Sequence, residues 1–440
     1  MRVLFLTHRL PYPPNRGDRI RAFQIVRALV PDVEVELLSL VHDPLEATEV
    51  PRLEQRLGVR VTPVAVPYYR NRVEAAVALA GSRPLTHVLL NAPGIMPAIR
   101  RIVDERRPDL VLAYCSSMAQ FAMLSPLAEI PMVLDMVDLD SEKWSDMAEK
   151  SGLPLSWIYR REARQLGAFE REAVAHARAT LVVNEREAEA VRRRVPGAHV
   201  TALPNGVDLW SLQPPPAPVD EPRVIFCGVM NYAPNADGVC WFVREVWPLV
   251  RKLVPAATFT IVGSDPTEQV RKLASVADGI EVTGRVPEVS RYLWSSTMSV
   301  APLHVARGVQ NKVLEAVAAG LPTVVTPAVL EGLPNEVRVA CRLAESAEDF
   351  ARQTTRILKM TGAERRAMAA RANLAALSWE QQMSPLRHLL QDALSQAPGS
   401  GPWVPGRSHV SRRNDIRNAT AEDTEQMESV ERDTVFTSEF

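Results

Sequence analysis

The chain has 440 residues, 46% of them hydrophobic and 23% charged, with a formal net charge of -1 at pH 7. That length exceeds one compact core and predicts two domains with additions, while the near-zero charge provides no field to gather nucleic acid. Four cysteines (Cys115, Cys227, Cys240, Cys341) stand far apart with no CxxC pair, which suggests neither a zinc site nor a disulfide scaffold, and with no apolar stretch of 18 residues any membrane contact is expected to be peripheral. The start, "MRVLFLTHRL", has an apolar run too short for a signal peptide, which makes a reducing cytoplasm the natural compartment.

Short Val/Leu/Ile runs alternate with longer amphipathic stretches, the pattern of parallel strands joined by helices. The first half offers strands at 2–7, 33–40, 59–66, 109–115, 132–138 and 180–184. The second offers 223–228, 258–263, 280–285, 298–303 and 323–327. Two doubly wound, Rossmann-like α/β units are therefore expected, one over 1–208 and one over 223–377. Between them, "QPPPAPVDEP" (213–222) carries five prolines in ten residues and makes 209–222 a stiff connector. After Met360 the pattern reads as two helices, with Trp379 near their junction and Pro385 able to open the second; 378–396 is expected to return to the first domain. From 397 to 440 the chain is polar and aperiodic, the composition of a disordered tail that carries no catalytic residue.

Ligands of open α/β sheets bind beyond the carboxyl ends of the strands. After the first strand, "THRLPYPPNRGDRIRAF" places Gly17 just before a helix near Asp18, where a phosphate or sugar could approach the backbone; a plain turn glycine reads equally well. In "RGVQNKVLEAVAAGLPTVV" (307–325), a helix starting near Gln310 puts Lys312 and Glu315 three apart on one face. Lys312 and the free amides of Gly308 to Gln310 suit a diphosphate, and a carboxylate one turn on suits a ribose diol. A solvated helix pair is the alternative. Against it stand 6 lysines to 45 arginines in the whole chain and apolar flanks that would bury Glu315.

Segment 301–326, with "LEAVAAGLPTVV", resembles the signature of retaining family 4 glycosyltransferases with the GT-B architecture. "LPNGVD" (203–208), "FCG" (226–228) and "SWE" (378–380) fall in the family's order, and the resemblance covers about residues 1–396. More narrowly, "PYPPNRGDRIRAF", "GVMNYAPNADGVCWFVREVWP" and "RGVQNKVLEA" resemble a bacterial branch of sugar transferases tied to exopolysaccharide and exosortase systems. The resemblance implies a nucleotide-diphosphate-sugar donor bound by the second domain (223–377), a glycan or polyprenyl-linked acceptor bound by the first (1–208), and no required metal. It places Asp138, Asn205 and Lys312 in catalysis, and Gly17, Gly228, Asn231, Arg285, Arg307, Gly308, Val309, Gln310, Lys312 and Glu315 around the donor.

Three departures from the family pattern follow. Arg307 stands where the first of two glutamates is usual, "GVMNYAPNADG" lacks the Arg and Lys that usually meet the phosphates, and Val137 takes the place of a histidine before Asp138. A catalytically silent nucleotide-sugar-binding subunit, suggested by Arg307 and Val137, therefore stays open beside the transferase, as does a nucleotide-sugar epimerase, a class that shares the architecture and the ribose-binding glutamate. Residues 70–107 hold seven arginines against three acidic residues with apolar residues between, which fits either a peripheral contact with an anionic inner leaflet or a solvated surface.

Overall fold

The computed structural model of the chain describes residues 1–209, 211–214, 217, 219–306 and 309–395, so the expectations for Arg307, Gly308 and the tail lie outside the described residues. Among the described residues thirteen strands form: β1 (Arg2–Thr7), β2 (Glu34–Val41), β3 (Arg60–Ala65), β4 (Leu110–Tyr114), β5 (Met132–Val137), β6 (Ala179–Val182), β7 (Val200–Ala202), β8 (Arg223–Cys227), β9 (Thr258–Val262), β10 (Ile280–Gly284), β11 (Met298–Ala301), β12 (Thr323–Val325) and β13 (Cys341–Leu343). Eleven fall on runs read from the sequence. The other two, β7 "VTA" and β13 "CRL", are three-residue strands at sheet edges, too short for a period of two to register.

All pairings are parallel, in a seven-stranded sheet of order β3-β2-β1-β4-β5-β6-β7 and a six-stranded sheet of order β10-β9-β8-β11-β12-β13. Strand order therefore reverses between β1 and β4 in the first sheet and between β8 and β11 in the second. Beyond the carboxyl ends at these reversals, helices diverge to opposite faces and leave a crevice. The first sheet is covered on both faces by apolar clusters, one built on Leu4, Leu6, Ile99 and Leu134, the other on Val3, Phe5, Ile25 and Leu112. A third cluster around Phe226, Phe242, Trp247 and Phe259 forms the core of the second sheet.

The region after Met360 divides more finely than two helices. Helices Gly362–Ala369, Trp379–Met383 and Leu386–Ser395 form, with a 3-10 turn at Ala375–Leu377, and Pro385 directly precedes the last of them. Trp379, Met383, Leu386 and Leu390 pack into the second cluster of the first sheet, beside ion pairs Arg27–Glu380 (2.9 Å) and Arg387–Asp32 (2.8 Å). The two segments that cross between the sheets meet directly. Val207 bridges Ser378 in parallel, its N–H donates to the Leu377 carbonyl at 2.8 Å, and a Cβ on Gly206 would lie 2.4 Å from the Trp379 backbone. Only glycine fits there.

One buried ion pair ties this crossing to the first sheet. Arg21, 1% exposed on helix Gly17–Leu29, donates from Nε to Asp135 Oδ2 (3.0 Å) on β5, which is 0% exposed. Its Nη2 also donates to Asp135 Oδ1 (3.2 Å), and Nη1 donates to the Leu203 carbonyl (2.9 Å) and Asn205 Oδ1 (2.8 Å) on the crossing segment. Removing one member strands a buried charge. Arg21→Met is therefore expected to cost about 3–5 kcal/mol, and Arg21→Met/Asp135→Leu to recover most of it, because an apolar pair of similar volume replaces a buried ion pair at little cost. Urea unfolding of the two variants checks this; equal loss in both would contradict it.

Candidate functional site

At the reversal point of the second sheet, backbone approaches so closely that two glycines are required. Gly263, just past β9, has φ +157, and a Cβ there would fall 1.6 Å from the Gly228 carbonyl oxygen just past β8. The chain then turns into helix Ala233–Trp241, with Pro234 in its first turn and Asn235 buried behind Gly228. Asn235 Nδ2 donates to the Val229 carbonyl at 2.9 Å, which fixes its amide and aims Oδ1 away from the loop.

Across the crevice, β11 leads into helix Asn311–Ala318. Its buried face is Val313, Leu314, Ala316 and Val317, and these residues determine how Lys312 and Glu315 are presented. Lys312 extends across the reversal point: Nζ donates to Asn235 Oδ1 and lies 4.8 Å from the centre of the Phe226 ring on β8. The cation so held is poorly solvated, and burial lowers its pKa to about 8 although Cys227 and Glu315 oppose the shift. Glu315 is half-buried and makes no hydrogen bond or ion pair among the described residues. Burial raises its pKa to about 7, and the attraction of Lys312 offsets only part of that. A half-buried carboxylate without donors among the described residues and an ammonium beside it form a site suited to a ligand bearing hydroxyls and anionic oxygens together.

The other expected donor-site residues spread more widely. Gly228 lies against Asn235, but the asparagine that meets Lys312 is Asn235 and not Asn231, which is exposed. The sequence does carry a signal for Asn235, an asparagine directly after Pro234 in the first turn of the helix following β8. Arg285 is exposed beyond β10 and pairs with Asp265 at 3.5 Å. Gln310 takes the capping position of helix Asn311–Ala318 with extended backbone, and Val309 is 38% exposed.

On the first sheet, Gly17 opens helix Gly17–Leu29 with nothing within 4 Å of where a Cβ would stand. Asp18, beside it, is surrounded by His8 and Arg9 at 3.6 Å and Arg16 at 3.5 Å; burial would raise its carboxyl pKa, but the His8 hydrogen bond and the charges of His8 and Arg16 lower it. The ends of β4 and β5 are unusual. Cys115 and Val137 both adopt φ 65, a conformation that a β-branched residue rarely takes and that signals local strain. At Val137 the β5–β6 register shifts, and its N–H donates to buried Asp135 Oδ1 at 3.2 Å. Asp138 follows directly, bound by Lys143 Nζ at 2.6 Å, with a carboxyl pKa raised by burial against the pull of that lysine. Asn205 is fixed by Arg21, as described above.

Residues 17–206 match the family described as Glycosyl transferase 4-like domain, and residues 221–360 match the family described as Glycosyl transferases group 1. Among curated proteins nothing matches. Among solved structures the chain is similar to sucrose-phosphate synthase from Thermosynechococcus elongatus, at 15% identity and a TM-score of 0.58 over 89% of this chain and 98% of that one. It is also similar to Anabaena HepE in complex with UDP-glucose, at 14% identity and a TM-score of 0.56 over 89% and 100%. A variant of S. aureus TarM in complex with Fondaparinux, alpha-GlcNAc-glycerol and UDP matches at 9% identity and a TM-score of 0.57 over 90% and 100%. The architecture is thus GT-B, two Rossmann-like domains each with its own parallel sheet. With both halves matching transferase domains, the chain is a glycosyltransferase.

The raised pKa of Glu315 has a measurable consequence. A carboxyl whose pKa climbs from 4.5 to about 7 on folding contributes stability that is complete below about pH 4.5 and lost as the pH rises through about 7. Glu315→Gln, which cannot ionise, is expected to match the parent protein near pH 4.5 and to exceed its thermal stability at pH 8. Melting curves across that range test it; a lower midpoint for the variant at pH 8 would show that the carboxylate is stabilising.

Proposed function

We propose that this chain transfers a sugar from a nucleoside-diphosphate sugar to a hydroxyl of a glycan or polyprenyl-linked glycan, with retention, in bacterial exopolysaccharide synthesis. The observation that carries the donor half of this reading is the reach of Lys312 from the helix after β11 to Asn235 beside the end of β8. The Arg and Lys usual in the β8 loop of the family it resembles are absent here, and in this reading Lys312, reaching from the helix after β11, substitutes for them. In this reading Glu315 accepts both ribose hydroxyls, Lys312 and the amides at the start of helix Asn311–Ala318 meet the diphosphate, and no bound metal is required. The acceptor and its linkage rest on the family resemblance and on the position of Asp138 at the carboxyl end of β5.

The transfer proceeds on one face of the donor sugar. The acceptor oxygen bonds to the anomeric carbon as the bond from that carbon to the diphosphate oxygen breaks, and the acceptor proton passes to the departing phosphate. A separate general base is then dispensable, which is how Val137 is tolerated where relatives have histidine. Asp138 orients the acceptor hydroxyl, and Asn205 helps close the donor pocket. Catalysis is positioning together with charge stabilisation of the leaving diphosphate.

A thermal-shift screen across nucleoside diphosphates and their sugars identifies the donor, since a ligand bound only by the folded state raises the melting point. Incubation with the labelled donor then separates transfer from its rivals. An epimerised free donor would support the epimerase reading, and binding without turnover a silent subunit. Lys312→Ala should weaken the diphosphate by about tenfold or more while leaving the nucleoside unchanged, as removal of a charge-assisted bond does; equal affinities by calorimetry would refute the donor site. Asp138→Asn should lower turnover by about a hundredfold with donor affinity unchanged, the scale of a positioned catalytic group. Full activity in that variant, or an inverted anomeric product by NMR, would overturn the mechanism.

A further inference from the structure

The helix Tyr68–Ala78, which follows β3, is turned inside out. Its polar Asn71 is 1% exposed, whereas Tyr69 is 84%, Val73 67% and Val77 75% exposed. Residues 69, 73 and 77 are spaced by four, and Ala76, also exposed, falls on the same side, so the outward stripe is continuous and apolar. The inward side is held by polar bonds. Asn71 Nδ2 donates to the carbonyls of Leu89 (2.9 Å) and Asn91 (2.7 Å). Arg161 donates to the carbonyls of Ala78 (2.7 Å), Leu79 (3.0 Å), Gly81 (2.6 Å) and Arg83 (3.0 Å), and Glu162 accepts from the N–H groups of Leu85 (2.7 Å) and Thr86 (2.9 Å). A helix fixed to its own domain through hydrogen bonds leaves its apolar face free for another environment. Contiguous exposed apolar surface of this kind marks an interaction site.

The charges beside the stripe indicate which environment. Arg70, Arg72 and Arg83 are exposed along this segment, against one acidic side chain, Glu74, which pairs with Arg70 at 2.7 Å. One turn before Arg161, Trp157 is 53% exposed, and Leu153 before it is 83% exposed. Apolar side chains flanked by arginines, with aromatic residues near the rim, suit the boundary between lipid headgroups and acyl chains. Among the described residues no helix is long and apolar enough to cross a membrane, so the contact would lie in the plane of the surface.

We propose that helix Tyr68–Ala78 docks this chain on an anionic lipid bilayer, with Tyr69, Val73 and Val77 entering the headgroup layer and Arg70, Arg72 and Arg83 meeting lipid phosphates. Because the sheet is parallel, the helix starts at the same edge as the ends of β1 and β5, which would set Asp138 toward an acceptor carried by that bilayer. The docking itself does not depend on the transferase reading, since it is measured without donor or acceptor.

The test is co-sedimentation of the full chain with vesicles of phosphatidylcholine alone and of phosphatidylcholine with phosphatidylglycerol. Binding to the anionic vesicles only, weakened by salt, is expected. Tyr69→Ser/Val73→Ser/Val77→Ser should lose at least about tenfold in partitioning with an unchanged melting point, because each side chain removes apolar area that the layer would bury. Arg70→Gln/Arg72→Gln/Arg83→Gln, a second variant that leaves the apolar stripe intact, should lose binding and its salt dependence together. Failure of the parent chain to bind either vesicle, or undiminished binding by the serine variant, would overturn the proposal. So would a parent dimer that the serine variant converts to monomer in sedimentation velocity, which would assign the face to a second copy of the chain.

Discussion

The Arg21–Asp135 pair is the interaction on which the geometry of the first sheet's carboxyl edge depends. Asp135 is the point where β5 stops pairing regularly with β6, and its carboxylate binds both Arg21 and the N–H of Val137. That second bond supports the positive-φ turn that delivers Asp138 to the edge of the sheet. Arg21, in turn, uses its remaining donor nitrogen on Leu203 and Asn205, where the chain leaves for the second sheet. One buried charge pair thus couples a strained strand end, a helix and the interdomain crossing. Its contribution lies in fixing their relative placement, since buried ion pairs add little net stability over an apolar pair.

A different compromise operates in the second sheet. Lys312 and Glu315 sit where burial disfavours both charges, and each is only partly compensated by the other. A sequence selected for stability alone would place apolar residues or a hydrogen-bonded amide there. The surrounding backbone is constrained too, with Gly228 and Gly263 pressed so closely that no side chain fits between the ends of β8 and β9. Unfavourable burial of charge and tight backbone packing coincide at the strand-order reversal, which is where the topology leaves an opening.

Several features could be read directly from the residues. Eleven strands, the helix beginning at Gly17, and the helix carrying Lys312 and Glu315 follow from local apolar period and from glycine and proline placement. Edge strands β7 and β13 escaped because three residues give no period. Asn235 escaped because its role depends on a lysine 77 positions later in the chain. The exposed stripe of helix Tyr68–Ala78 was legible only as a mixture of arginines and apolar residues, since the sequence could not say that Asn71 faces inward.

What the sequence determined by itself is therefore the local order of elements: which runs become strands, where helices begin, and that two such series follow one another across a proline-rich connector. Those depend on neighbours a few residues apart. Which side chains meet was decided by the tertiary structure alone: Arg21 with Asp135 and Asn205, Lys312 with Asn235 and Phe226, Arg161 with the carbonyls after residue 77. Each of these contacts joins groups at least 77 positions apart, and the two that involve Asp135 and Lys312 hold charge away from water. Burying such groups is tolerable only once a partner stands opposite, and only the folded sheets bring that partner into place.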